Sequence, residues 1–174
     1  MSALNDQFAN PYTYEDTGGG VRRLTENEAE FINLRPENKD LMSYMNYPVP
    51  KARPRFTRQG RTYTPKKTHD YESEVAMMAR AAMGSSEPLE TPIAVHIYVT
   101  FAVPPSYTKK RLEACLSGSE RHTKRPDLDN IVKSVTDGMN GIVFKDDSQI
   151  VSIHAKKVWG TTGMVEVLVK EDIL

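Results

Sequence analysis

Cysteine is almost missing from this sequence: Cys115 stands alone in 174 residues. That excludes an internal disulfide and any zinc site built from several cysteines, and it suits a reducing compartment, so the cytoplasm is the expected location. No apolar run approaches the roughly 18 to 20 residues that a membrane-crossing helix needs. The start, Met1-Ser2-Ala3-Leu4-Asn5-Asp6, also lacks the basic and apolar regions of a signal peptide. A soluble protein that is not exported is expected, with no membrane partner. A glycine-rich phosphate loop, a serine nucleophile elbow and paired Cys/His motifs are missing too, so no nucleotide cofactor is expected. His96, His122 and His154 show no metal-ligand spacing. On strands, His96 and His154 read as packed or surface residues rather than bases.

An excess of either charge is the remaining absence, since 23 Lys and Arg face 23 Asp and Glu. The distribution says more than the sum. Residues 1–45 carry four basic groups against eight acidic ones, which leaves 19 basic and 15 acidic groups in residues 46–174. The body is mildly basic and the leader acidic. The leader, with its run Gly18-Gly19-Gly20 and few large apolar residues, reads as a loosely attached extension. It holds one expected short helix, from the capping box of Thr25 and Glu28 to about Asn33. Residues 46–174 are long enough to bury a core and form the expected domain.

Within that domain, prolines confine Tyr47–Pro65 to edge strands and loops. Tyr71, Val75, Met78 and Ala82 recur at helical spacing and predict a helix over Thr68–Met83, stopped by Gly84. Ile93, Val95, Ile97, Val99 and Phe101 alternate along a strand over Pro92–Phe101 whose other face is only moderately polar, so both faces are open to being covered. A short basic helix over Ser106–Leu116 and a polar loop to Lys124 follow. Leu128, Ile131, Val132, Val135 and Met139 then mark an amphipathic helix over Asp127–Met139. Ile142–Phe144 reads as a brief strand, and Lys145–Ser148 as a turn. Gln149–Trp159 and Met164–Lys170 read as two strands joined in a hairpin through Gly160–Gly163. The expected fold is a small α/β (α+β) domain: a mixed, largely antiparallel sheet packed with two main helices.

The segment that carries chemistry is Lys124-Arg125-Pro126-Asp127-Leu128-Asp129-Asn130-Ile131-Val132-Lys133, with Asp146-Asp147-Ser148 following after the helix. Each acid has an ordinary explanation. A carboxylate at the N-cap, where Asp127 falls, accepts backbone N–H groups and faces the positive end of the helix dipole. Asp129 stands four residues before Lys133, so a surface ion pair accounts for both, and Asp with Ser in a tight turn is common. Topology raises the odds of a site, because a return strand after Asn140-Gly141 would bring Asp147 back to the start of the helix. Three or four carboxylates, Asp127, Asp129 and Asp147 with or without Asp146, would then converge, and such a cluster destabilises the fold unless a cation joins it. Oxygen-only ligands select Mg²⁺ or Mn²⁺ over Zn²⁺.

Magnesium seeks phosphate oxygens, and the surround of this cluster is basic. Lys124 and Arg125 precede the first aspartate, Lys145 precedes Asp146, and Lys156 and Lys157 lie on the next strand. Such a collar restores attraction to nucleic-acid phosphates that the acids would repel. Lys51, Arg53, Arg55, Arg58, Lys66 and Lys67 add further candidate DNA contacts, beside Tyr47, Phe56, Tyr63 and Tyr71, which could stack on bases or simply pack in the core.

From Arg125-Pro126-Asp127-Leu128-Asp129-Asn130 through Asp146-Asp147-Ser148-Gln149-Ile150-Val151, the sequence resembles the RusA family of Holliday junction resolvases. Lys51-Ala52-Arg53-Pro54-Arg55-Phe56 and Tyr63-Thr64-Pro65-Lys66-Lys67-Thr68 resemble the N-terminal part of that family, and the likeness runs from about Val49 to Val169. The resemblance implies a homodimeric α/β nuclease with one Mg²⁺-dependent site per subunit, resolving four-way junctions by paired nicks that leave 5′-phosphates. It makes Asp127, Asp129 and Asp147 the metal-holding acids, Lys133 the catalytic lysine and Asp146 an accompanying acid. A looser branched-DNA nuclease and a non-catalytic junction-binding protein remain open at this point.

Overall fold

The computed structural model describes residues 13–15, 21–23, 41–45, 48–53, 55–56, 59 and 61–172. The helix expected from Thr25, the glycine run at 18–20 and Arg58 lie outside the described residues. Strands β1 (Thr13–Glu15) and β2 (Val21–Arg23) pair antiparallel. Strand β3 (Leu41–Met45) joins the main sheet, so the last five residues of the expected extension belong to it. The short strands β4 (Arg55–Phe56) and β5 (Thr62–Tyr63) form a separate antiparallel pair.

Helix α1 (Lys66–Met83) starts two residues earlier than expected, directly after Pro65, and ends at Gly84 with φ of 56°. A left-handed conformation of this kind suits glycine and closes the helix. Thr68, Tyr71, Val75 and Ala79 make its buried face; Ala82, expected inside, is exposed. Strand β6 (Ile93–Ala102) alternates as expected, and both faces are covered over its central residues. Helix α2 (Lys109–Leu116) begins later than expected, where the Thr108 hydroxyl accepts from the Arg111 N–H. Helix α3 (Leu128–Met139) buries Ile131, Val135 and Met139, as its apolar spacing required.

Strands β7 (Ile150–Gly160) and β8 (Met164–Glu171) complete a four-stranded mixed sheet in the order β3-β8-β6-β7. The expected hairpin is overturned: β6 lies between β7 and β8, parallel to the first and antiparallel to the second. Residues 161–163 step over the end of β6 instead of turning between neighbours. Alternation along a strand reports which face is buried but not which strand lies alongside. The parallel β6–β7 pairing requires a crossover, and α2, α3 and every acidic candidate ride on it.

Helices α1 and α3 cover one face of the sheet, with Val95, Ile97, Val99, Val165 and Val167 beneath them. They approach closely at Gly138, where an added Cβ would stand 2.7 Å from the Val75 Cβ. Gly138→Ala should therefore destabilise the protein despite alanine's better helix propensity, by about 1–3 kcal/mol as other overpacked cores do. Urea unfolding measures this, and an unchanged midpoint would show that the helices part without cost.

Candidate active site

The chain turns sharply after α3. Gly141, at φ 72°, donates its N–H to the Phe144 carbonyl at 2.8 Å, and Phe144 forms isolated bridges with Leu89 and Asn140. The strand expected over Ile142–Phe144 is thus a turn held by single bridges, because three residues this tightly bent cannot form a ladder. A 3₁₀ turn over Asp147–Gln149 follows. Asp146 caps it, accepting from the Ser148 N–H at 2.9 Å, while the Gln149 side chain accepts from the Asp146 N–H. The Gln149 amide also donates to the carbonyls of Leu89 and Thr91, both at 2.9 Å, pinning the turn to the entry of β6. Just beyond, Val151 is skipped in the pairing of β7 with β6, a one-residue irregularity beside the turn.

This return path brings Asp147 to the face of α3 that carries Asp129 and Lys133. The three line one cleft of about 530 Å³ with Leu128, Val132, Thr136, Ile150, Ile153 and Ala155. Two carboxylates and a lysine thus stand at the rim of a largely apolar floor. Asp127 and Asp146 are not part of this lining. No three His, Cys, Asp or Glu side chains among the described residues stand close enough to hold a metal by themselves. Of the three or four acids expected from topology to converge, Asp129 and Asp147 share this cleft. Asp146 is engaged as a cap, and the Ser148 side-chain and backbone hydrogen bonds hold its carboxyl below the usual carboxylate range. The donors still suit magnesium, which is commonly bound by one or two carboxylates and fills its remaining positions with water and substrate phosphate oxygens.

Neither the capping hydrogen bond nor the ion pair expected of the helix-start acids forms. Asp127 occupies the N-cap, but its side chain makes no capping hydrogen bond. Lys133 pairs with Asp137, at 2.9 Å, instead of with Asp129. The loop before Asp127 is held by Lys157, whose ammonium donates to the carbonyls of Lys124 at 2.7 Å and Pro126 at 2.9 Å. Lys157, expected in the basic collar, is thus a tether, and no local pattern signals that a strand lysine will tie down a distant loop.

The expected DNA contacts divide. Lys51 is half-buried and its ammonium lies between Glu72 and Asp137, so it is an internal partner and not a phosphate contact. Lys66 pairs with Asp70 at 2.6 Å and Lys145 with Glu90 at 2.6 Å, both on the surface. Lys124 donates to the Tyr107 hydroxyl, beside the ring that Arg111 covers at 3.8 Å. Arg53, Lys67 and Arg125 are exposed, Lys156 is half-buried, and the side chain of Arg55 lies outside the described residues. His122, which showed no metal-ligand spacing, packs between Phe101 and Trp159, and burial pushes its pKa down.

Burial opposes the charge on Asp137 more than any other single effect, yet hydrogen bonds and charge from Lys51 and Lys133 hold its carboxyl below its ordinary 3.8. A depressed carboxylate pKa contributes stability that is present above the unfolded value and lost as pH falls through the folded one. Thermal stability should therefore decline as pH drops below 3.8, and Asp137→Asn should flatten that decline in a pH series of melting curves. An acid limb of the same slope in both proteins would contradict the pairing.

Residues 46–170 match the family described as Endodeoxyribonuclease RusA. The chain belongs to the RusA endodeoxyribonuclease family. It is 34% identical over 130 residues to the protein YqaN of Bacillus subtilis (strain 168), covering 71% of this chain and 90% of that one. It is 44% identical over 50 residues to the crossover junction endodeoxyribonuclease rusA of Lactococcus phage r1t, 28% of this chain and 38% of that protein. The RusA match identifies an endodeoxyribonuclease and contains the whole cleft, from Leu128 to Ala155. No helix among the described residues is long and apolar enough to cross a membrane.

Proposed function

We propose that this RusA-family chain resolves four-way DNA junctions by paired symmetric nicks that leave 5′-phosphates, as a homodimer with one magnesium-dependent site per subunit. The observation that carries the reading is the shared cleft of Asp129, Asp147 and Lys133. Asp129 and Asp147 are the metal ligands of this reading, with Asp127 a further donor at the start of α3 and Asp146 the cap of the turn. Bound by these carboxylates, Mg²⁺ (or Mn²⁺) would supply Lewis-acid polarisation of the scissile phosphate and a nucleophilic water at neutral pH.

The chain's own groups do the rest. Lys133 places an ammonium at the same cleft, where it donates to a phosphate oxygen and offsets the charge that builds up during displacement. Ile150, Ile153 and Ala155 give the floor an apolar surface that limits competing water. Arg53, Lys67, Lys124, Arg125, Lys145 and Lys156 attract the backbone electrostatically. One site nicks one strand, so resolution needs two, and a two-fold junction suits a two-fold protein. Exposed Val151 on the sheet-edge strand β7, outside the cleft lining, offers apolar surface for a second copy. The relative from a Lactococcus phage supports a place of action in bacterial cytoplasm, in recombination and repair of phage or prophage DNA.

A panel of end-labelled substrates tests this: a four-way junction, a flap, a fork and linear duplex, with both cut positions mapped. Symmetric cuts confined to the junction are expected. Equal cutting of flaps and forks would replace junction resolution with a broader branched-DNA activity.

A further inference from the structure

The lysine at the cleft does not stand alone. The Lys133 ammonium donates to Asp137 Oδ1 at 2.9 Å, and Asp137 Oδ2 lies 2.7 Å from the Lys51 ammonium, which in turn donates to Glu72 on α1. Lys51 is fixed by its backbone as well, since its N–H donates to the Asn130 carbonyl at 2.7 Å. Charges of alternating sign thus run from α1, through the segment before β4, to α3. Asp137 lies one turn beyond Lys133 on α3, is half-buried, and does not line the cleft.

Resting on the nuclease reading of the cleft, we infer that Asp137, backed by Lys51 and Glu72, is a positioning residue that fixes the Lys133 ammonium over the scissile phosphate. Unrestrained, a lysine with four rotatable bonds samples many rotamers and is as free to neutralise Asp129 four residues before it. Engagement by Asp137 keeps the ammonium away from Asp129 and leaves that carboxylate open to a cation. A carboxylate held by a second lysine can accept from Lys133 without closing on it as an exposed partner would. Such supporting residues commonly change activity about 10- to 100-fold when removed.

The test is a double-substitution cycle on single-turnover cleavage of a labelled four-way junction, with junction binding measured in parallel. Asp137→Asn should slow cutting about 10- to 100-fold with binding nearly unchanged, and Asp137→Glu should restore part of the rate. In a Lys133→Met background, Asp137→Asn should cost nothing more, because the residue acts only through the missing ammonium. Losses that multiply would overturn the inference and leave Asp137 a structural residue. Wild-type rates in Lys133→Met would instead overturn the role of Lys133 in the cleft, and with it this inference. Should Asp137→Asn fail to fold, Lys51→Met in the same cycle takes its place, with the same two outcomes. Independently of cleavage, the Lys133 ammonium in ¹⁵N-labelled protein should give a slowly exchanging NMR signal that Asp137→Asn removes. An unaltered signal would overturn the proposal even if the nuclease reading stands.

Discussion

Asparagine at Asp129 or at Asp147 is expected to reduce junction cleavage about 1,000-fold or more while leaving junction binding intact or tighter. The magnitude follows from the several kcal/mol that a catalytic cation contributes to the transition state, each 1.36 kcal/mol being about tenfold in rate. The direction of the binding change follows from charge. Both carboxylates line the cleft that would receive a phosphate, and each repels it, so their neutralisation removes a penalty to binding. Neither supports the fold as a helix cap or turn cap, since Asp146 caps the 3₁₀ turn and Asp129 lies inside α3. Melting temperatures close to wild type should accompany the lost activity. Binding and cutting lost together, with a lowered melting temperature, would return both residues to a structural role.

A change well away from the chemistry should have the largest effect on stability. Phe144 is fully buried, and it stands at the bend where the chain leaves α3 and turns toward Asp147. Its carbonyl closes the Gly141 turn, and its bridges to Leu89 and Asn140 tie that turn to the core. Phe144→Ala removes a large side chain from the buried cluster that also holds Val143, Met139 and Ile131. The expected cost is about 3–5 kcal/mol, combining lost transfer energy with the cavity left behind. In a domain of this size that lowers the melting temperature by roughly 6–20 °C. Met77→Ala, at a position 61% exposed, serves as the control and should change stability little. Circular dichroism melting of the three proteins decides it, and a Phe144→Ala midpoint as high as the control's would show that the turn is held without this ring.

The elements that sequence made legible are those with long internal periodicity. Helix α3 and strand β6 each repeat their apolar spacing over nine or more residues, and both buried most of the residues that the spacing marked, with Leu128, Val132 and Phe101 half-buried. Pairing is a different matter, because β7 and β8 alternate as any strands do and nothing in them names β6 as the strand between. The brief strand at Ile142–Phe144 failed for a related reason: three apolar residues fit a buried turn as well as a ladder.

The site divides the same way. Asp129 and Asp147 stand out because two acidic segments separated by one helix can be brought together by a single reversal, which the Gly141 turn provides. What Lys133 touches was not legible. Asp129 before it and Asp137 after it stand at equal helical spacing, and the choice was made by Lys51, which reaches Asp137 from 86 positions earlier in the chain. Lys51 itself read as one member of a basic surface, since no local pattern shows that Glu72 and Asp137 would enclose it. Tertiary electrostatics of this kind lies between segments, where periodicity carries no information.

The cleft of Asp129 and Asp147 should cut DNA only with a bound divalent cation. The measurement is cleavage of a labelled four-way junction by the wild-type protein, in Mg²⁺ and in excess chelator at equal ionic strength. Paired nicks in Mg²⁺, with none in chelator although the junction is still bound, is the predicted result. Equal cutting in chelator, or binding without cutting in either Mg²⁺ or Mn²⁺, would contradict it.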